Sequence, residues 1–338
     1  MTRDEVAPEY MAAGVEALKS FPLDVTEIKF VGESENITFR VSVNGDASDY
    51  ALRLHRPGYN SIEELKSERL WIRELQLQGI NVPDPVETST GEGNFYSLVE
   101  IPSLQECRYA GVTKWLKGST LCDHLEQSAD PDIRAEAFEA IGVLAARMHD
   151  QSQAWTPPPD FERRRLDGDA LLGDTPHWGR FWQHPGLSDD ERTLLRRSRD
   201  FARQALESYG QHADRFGLIH SDMNTDNIIY HDGELSLIDF DDAAFGWYMY
   251  DLASALIEYI PAADFAKLKA ALLKGYQSQR ALTGDDFGLL ELLLFVRGMV
   301  TIGWFQRHPE ETASEEFQSL RDWVISEAQD RMRLTQAD

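Results

Sequence analysis

A chain of 338 residues, 42% hydrophobic and 27% charged, is long enough to bury the cores of two lobes. Its formal net charge of −25 argues against nucleic acid or an anionic membrane surface as partner, because phosphates would be repelled. With only Cys107 and Cys122 a disulfide framework or a cysteine-rich zinc site is excluded, and with no membrane span and no apolar signal core after Met1 the expectation is a soluble cytoplasmic protein.

In chain order, a helix from about Glu9 to Ser20 precedes Val25–Phe30, which alternates as a strand should. Gly32-Glu33-Ser34-Glu35-Asn36 turns the chain into a second strand, Ile37–Val43, and Tyr50–Leu54 forms a third. A turn between two strands can offer backbone N–H groups to phosphates. The next helix, Ile62 to Gln78, carries Leu65, Trp71, Ile72 and Leu75 as an apolar stripe. Pro83 and Pro85 break the chain, Phe95–Ile101 resumes as a strand, and Tyr109–Thr113 closes the sheet before Lys114-Trp115-Leu116-Lys117-Gly118.

Beyond Gly118 the pattern turns helical, with a short helix at Leu121–Gln127 and a longer one at Asp132–Asp150 buried through Ile133, Phe138, Ile141, Leu144 and Met148. Phe161–Pro185 reads as irregular. Its Arg163-Arg164-Arg165 triplet and its group His177, Trp178, Phe181 and Trp182 fit either an acceptor pocket or surface ion pairs and core packing. A charged helix follows at Asp189–Ser208. Leu289–Phe305 is apolar with Arg297 embedded, and is too interrupted for a membrane span, so it reads as a core helix.

The segment with the most chemistry is His220-Ser221-Asp222-Met223-Asn224-Thr225-Asp226-Asn227, flanked by the short strands Phe216–Ile219 and Ile228–Tyr230. His231-Asp232-Gly233-Glu234 turns the chain into Leu235–Ile238, and this hairpin is expected to bring Asp239 back beside Asn227. An Asp, an amide and a second Asp at these spacings suit magnesium-dependent phosphoryl transfer from ATP. Asp222 would orient the attacking hydroxyl and accept its proton, while Asn227 and Asp239 offer hard oxygen ligands. His220 reads as a packed structural residue, since the neighbouring Asp fills the base role.

The block Leu218–Leu252, closed by Tyr250-Asp251-Leu252-Ala253, resembles the aminoglycoside phosphotransferase-like kinases. Ile238-Asp239-Phe240-Asp241-Asp242 and Phe245-Gly246 are similar to the branch of type II homoserine kinases and bacterial stress-response kinases. The resemblance implies an α+β, bilobal protein-kinase-like fold: a small antiparallel sheet with one main helix, then a larger helical lobe. It divides the chain into a nucleotide lobe over 1–113, a hinge over 114–118 and a catalytic and acceptor lobe over 119–338. It also implies ATP and Mg²⁺, with Gly32, Asn36, Arg53, Glu68, Lys114 and Leu116 around the nucleotide. Arg53 takes the place of a lysine, and its planar fork is not equivalent to an ammonium. Glu68 is its expected helix partner, the backbone of Lys114 and Leu116 is expected at the adenine edge, and Asp251 resembles the buried acid that braces the catalytic loop.

Ser221 stands where protein kinases carry Arg, and no long segment ending in A-P-E follows Asp239, so activity without phosphorylation gating is expected. The expected reaction is transfer of the γ-phosphoryl group to a hydroxyl of a small metabolite, such as an amino alcohol, a hydroxy amino acid or an aminoglycoside-like compound. The acids Asp241, Asp242 and Glu258 favour an amine-bearing acceptor or are simply structural. The alternatives are a protein Ser/Thr kinase of the stress-response type and a non-catalytic nucleotide-binding scaffold. A monomer or homodimer is expected.

Overall fold

A computed structural model describes residues 8–33, 36–128, 130–308, 312 and 314–334. They pack into two compact units. The first lies within Met1–Ser119, Pro158–Glu162 and Ile229–Asp241, and the second within Thr120–Pro157, Arg163–Ile228 and Asp242–Asp338.

The first unit opens with α1 (Pro8–Leu18), then β1 (Val25–Glu33), β2 (Ile37–Val43), β3 (Tyr50–Leu54), α2 (Ile62–Leu77), β4 (Tyr96–Ile101) and β5 (Glu106–Lys114). Its five strands form an antiparallel sheet in the order β1-β2-β3-β5-β4, the small sheet expected from the sequence. Alternation decides which side faces in: Ile37, Phe39 and Val41 of β2 and Leu52 and Leu54 of β3 are buried, against Tyr10, Ala13 and Ala17 of α1. Ser61 and Glu64 form a reciprocal capping box that starts α2, whose Leu65, Trp71, Ile72 and Leu75 stripe is buried. Two strands run past the limits expected for them. β1 runs on through Gly32, which pairs with Thr38 after an irregularity, and β5 begins at Glu106. Ser34 and Glu35 of the expected turn lie outside the described residues.

The second unit follows β6 (Ser119–Thr120) with α3 (Leu121–Gln127), α4 (Pro131–Ala154), α5 (Gly168–Leu172), α6 (Asp189–Tyr209) and β7 (Phe216–Ile219). After β8 (Ile228–His231) and β9 (Glu234–Leu237) come β10 (Ala244–Trp247), α7 (Tyr248–Leu256), α8 (Phe265–Gln277), α9 (Gly284–Phe305) and α10 (Glu315–Leu334). α4 and α8 approach closely because each presents a glycine: a Cβ on Gly142 would collide with the Leu272 carbonyl, and one on Gly275 with the Glu139 carbonyl. α9 is long and apolar enough to cross a membrane, yet 67% of its apolar window is buried, packed on α6, α7 and α10. It is a core helix.

β8 and β9 make the expected hairpin, with Asp232 and Gly233 at φ +48° and +87° in the turn. The division of the chain is less simple than one cut at the hinge. Ile229–Asp241 packs with the first unit because Phe240 meets Trp71 edge-on at 5.6 Å and the Leu237 N–H donates to the Asn81 carbonyl. The strand β10, which pairs antiparallel with β7, has no expected counterpart in the sequence, since Ala-Phe-Gly-Trp lacks the β-branched alternation of a strand.

Candidate active site

Built upward from its support, the loop that carries Asp222 begins where β7 ends. Ser221 takes φ +66°, a left-handed conformation that costs a non-glycine residue about 1–3 kcal/mol and persists only when its surroundings fix it. Asp251, fully buried in the first turn of α7, accepts from the Ser221 N–H at 2.6 Å and the His220 N–H at 3.0 Å. Ser221 also donates its hydroxyl to the Asp242 carbonyl at 2.6 Å. A third bond to Asp251 comes from His149 at 2.9 Å, while the other ring nitrogen of His149 lies 2.9 Å from the Tyr276 hydroxyl. Burial pushes the His149 pKa down and keeps the ring neutral. It then has one N–H, given to Asp251, and accepts from Tyr276 at Nδ1. The bracing acid is therefore braced itself, by α4 and α8.

Both oxygens of Asp222 are engaged. Oδ2 accepts from Asn227 at 2.8 Å and from Asn224 at 3.3 Å, and Oδ1 accepts from Arg297 Nη2 at 2.6 Å. Asn224 earns its place twice, since its side-chain oxygen also caps the short turn Thr225–Asn227 by accepting from the N–H groups of Asp226 and Asn227. The Asn227 amide nitrogen donates to the carbonyl and carboxylate of Asp222, which orients the amide; its oxygen is of the hard type that could ligate a cation. Arg297 escaped the sequence reading as a site residue because it lies 75 positions from Asp222. One signal was present: a lone arginine on the buried side of an apolar helix requires an anion. Burial opposes its charge, but Tyr250 and Asp222 outweigh that and keep the guanidinium protonated.

Glu258 belongs to the same unit. Desolvation first, and then the negative charges of Asp222 and Asp226, push its carboxyl up to about 7 although the residue retains exposed surface. Of the other acids weighed for an amine, Asp242 lies 3.8 Å from Arg164 and Asp241 is locked in the first unit. The Arg triplet and the aromatic group resolve as structure: Arg163 is buried and donates to the Ala243 carbonyl at 2.6 Å, and Trp178, Phe181 and Trp182 are buried.

In the first unit, Arg53 donates to Asp239 at 2.8 Å and to Asp241 at 3.3 Å. Asp239 sits at φ +62°, and Phe240 anchors the strand beside it. Asp241 is buried, bonded by Asn36, and its carbonyl accepts from Asn60 at 3.2 Å. Burial alone would raise its carboxyl, yet Arg53, His55 and Asn36 hold it well below the usual range. Glu68 is buried in α2 and acts on Arg53 through its charge, while the ion pairs of Arg53 are with the two aspartates. Asn36 is equally committed: its oxygen accepts from the Arg56 N–H at 2.9 Å. Gly32 faces open space. At the end of β5, the Lys114 N–H is taken by the Asp84 carbonyl at 2.8 Å, so any contribution of Lys114 to an adenine edge falls to its carbonyl. Leu116 lines a groove of about 500 Å³ with Gln76, Asn81, Asp84 and His231.

Comparison with known proteins bears on the family and the fold. Residues 27–288 match the model of the phosphotransferase enzyme family. The amicoumacin kinase of Bacillus subtilis is 21% identical over 303 residues, covering 85% of this chain and 82% of its own length. A homoserine kinase of Neisseria meningitidis serogroup B is 29% identical over 239 residues, covering 66% of this chain and 67% of its own. Among solved structures, the microcompartment-associated aminopropanol kinase superposes with a TM-score of 0.77 at 29% identity, over 94% of each chain. An amicoumacin kinase in complex with AMP-PNP, Ca²⁺ and Ami also has a TM-score of 0.77, at 21% identity, over 96% of this chain and 94% of its own, and shares the fold. The chain belongs to the phosphotransferase enzyme family, and is a kinase of protein-kinase-like fold.

Proposed function

We propose that this enzyme transfers the γ-phosphoryl group of ATP, with Mg²⁺, to a hydroxyl of a small metabolite, with amino alcohols and hydroxy amino acids as the first acceptors to test. The observation that carries the reading is the Asp222 carboxylate, held by Asn227, Asn224 and Arg297 on a loop pinned by Asp251. The kinases for homoserine and aminopropanol among its relatives support the acceptor class.

In this reading Asp222 receives the acceptor hydroxyl, fixes its oxygen for in-line attack and takes its proton as the bond to phosphorus forms. Asn227 and Asp239 are the residues that would hold the metal, which supplies charge neutralisation on the phosphates. Among the described residues no three His, Cys, Asp or Glu side chains cluster as a metal site. One amide oxygen and one carboxylate suit a hard cation that takes the rest of its ligands from phosphate and water. Arg53, already paired with Asp239, stands ready for a phosphate, with Glu68 and Asn36 behind it; Gly32 gives the turn room, and the backbone of Lys114 and Leu116 receives adenine.

The test is a screen of hydroxylated metabolites for acceptor-dependent ATP consumption, including L-homoserine and 1-amino-2-propanol. Turnover of a small acceptor is expected. Phosphorylation of protein serine or threonine with none of any small molecule would move the assignment to a protein kinase.

A further inference from the structure

We infer that Arg297, projecting from α9, is a positioning residue for the proton acceptor Asp222; the inference rests on the phosphotransferase reading above. Three observations point to it. The Arg297 Nη2 to Asp222 Oδ1 contact is short, at 2.6 Å, and the two side chains are only 14% and 26% exposed. The second nitrogen, Nη1, lies 3.4 Å from the Tyr250 hydroxyl and 3.5 Å from the Ser221 carbonyl, so the guanidinium is anchored to the same loop whose carboxylate it holds. The arginine also comes from the middle of a mostly apolar core helix, where a charge is costly to keep without a partner.

The geometry separates the two oxygens of Asp222. Arg297 holds Oδ1 from the α9 side, while Asn227 and Asn224 hold Oδ2 from within the loop. A carboxylate gripped at both ends cannot rotate about its Cβ–Cγ bond, and its remaining lone pairs point in set directions for the acceptor hydroxyl. The proton that leaves the hydroxyl oxygen is received by the Asp222 carboxylate that Arg297 holds. Its service is orientation, with proton uptake completed as the oxygen–phosphorus bond forms and the bond to ADP breaks. That suits a loose transition state in which little proton transfer is needed early.

The test compares wild type, Arg297→Lys and Arg297→Ala, using L-homoserine and 1-amino-2-propanol as acceptors and AMP-PNP with Mg²⁺ as the binding probe. For Arg297→Ala, kcat is expected to fall about 10²-fold, as for a small misplacement of a reacting group, with AMP-PNP affinity within about twofold of wild type. Arg297→Lys should recover part of kcat, because an ammonium can reach one oxygen but not the loop carbonyl as well. Guanidinium ion added to Arg297→Ala should restore kcat where sodium chloride of equal ionic strength does not. A folded Arg297→Ala that binds AMP-PNP and turns over like wild type would overturn the role, as would activity lost but unmoved by guanidinium. Lack of turnover of every acceptor by wild type would overturn the phosphotransferase reading itself, and the role with it. Should Arg297→Ala not fold, Arg297→Lys decides: kcat equal to wild type refutes positioning, and a loss in kcat at unchanged nucleotide affinity supports it.

Discussion

Replacing Asp251 by Asn isolates the support of the Asp222 loop from its proposed chemistry, because the side chain keeps its shape and is fully buried. In wild type one oxygen accepts the Ser221 N–H at 2.6 Å, and the other accepts the His220 N–H at 3.0 Å and the His149 N–H at 2.9 Å. Asn has one acceptor oxygen. With its NH₂ group towards Ser221, it loses a charge-assisted bond worth about 1.5–3 kcal/mol and leaves a buried N–H facing another donor, at a further 1–3 kcal/mol or so. With the NH₂ turned the other way two bonds are lost, and only the His149 bond can be recovered by a change of tautomer. The cheaper orientation still costs roughly 3–5 kcal/mol, a large share of the 5–15 kcal/mol or so that stabilises a typical domain. Thermal unfolding should show a melting temperature lower by about 10 °C. Released from Asp251, Ser221 should relax out of its left-handed conformation, and kcat for any acceptor should fall about 10²-fold. An Asp251→Asn protein that melts within about 2 °C of wild type and retains its kcat would refute the bracing argument.

The other network acid, Asp241, is expected to be just as demanding: Asp241→Asn leaves the partly buried Arg53 with Asp239 alone, and should cost about 3–5 kcal/mol in denaturant unfolding and raise the KM for ATP. Gly275→Ala drives a methyl group into the Glu139 carbonyl, so urea unfolding should show a loss of about 2 kcal/mol. Glu258 has a carboxyl raised from an ordinary 4.5 to about 7, so its protonated form stabilises the fold below pH 4.5 and that contribution is lost as pH rises towards 7. Glu258→Gln should therefore match wild type near pH 4.5 and exceed it at pH 8, by about 1 kcal/mol after allowance for solvent on its exposed side. Unfolding curves at the two pH values that show no such divergence would contradict the raised Glu258 carboxyl.

The parts of this enzyme that were legible in its sequence are those whose reasons are local. His220–Asp241 could be read because the loop, the hairpin and the second aspartate lie within one short stretch, and the antiparallel sheet because β2 and β3 alternate cleanly. Asp251 could be placed under the loop only through the family resemblance, and its partner His149, with the Tyr276 that holds that ring, was invisible, His149 being 102 residues from Asp251 and 127 from Tyr276. The same distance problem hid Arg297. Arg53 shows a different limit. Its charge called for a carboxylate, and Glu68 on the next helix was the sequence's nearest candidate, but the fold brings Asp239 and Asp241 closer and leaves Glu68 to act through its field. The basic triplet left two readings open, and the Arg163 side chain, buried on the Ala243 carbonyl, favours the structural one. β10 escaped because Gly246 and Ala244 are chosen for close packing on β7, where a Cβ on Gly246 would strike Ile219.

The most direct test of the central claim is Asp222→Asn, followed by phosphorus NMR of a reaction with ATP, Mg²⁺ and an acceptor that the wild type turns over. The wild type should convert ATP to ADP and one new phosphate monoester. The variant should lose at least about 10³-fold in kcat while its affinity for AMP-PNP with Mg²⁺, measured by calorimetry, stays within about twofold. Formation of the same monoester by Asp222→Asn at near the wild-type rate would contradict the account.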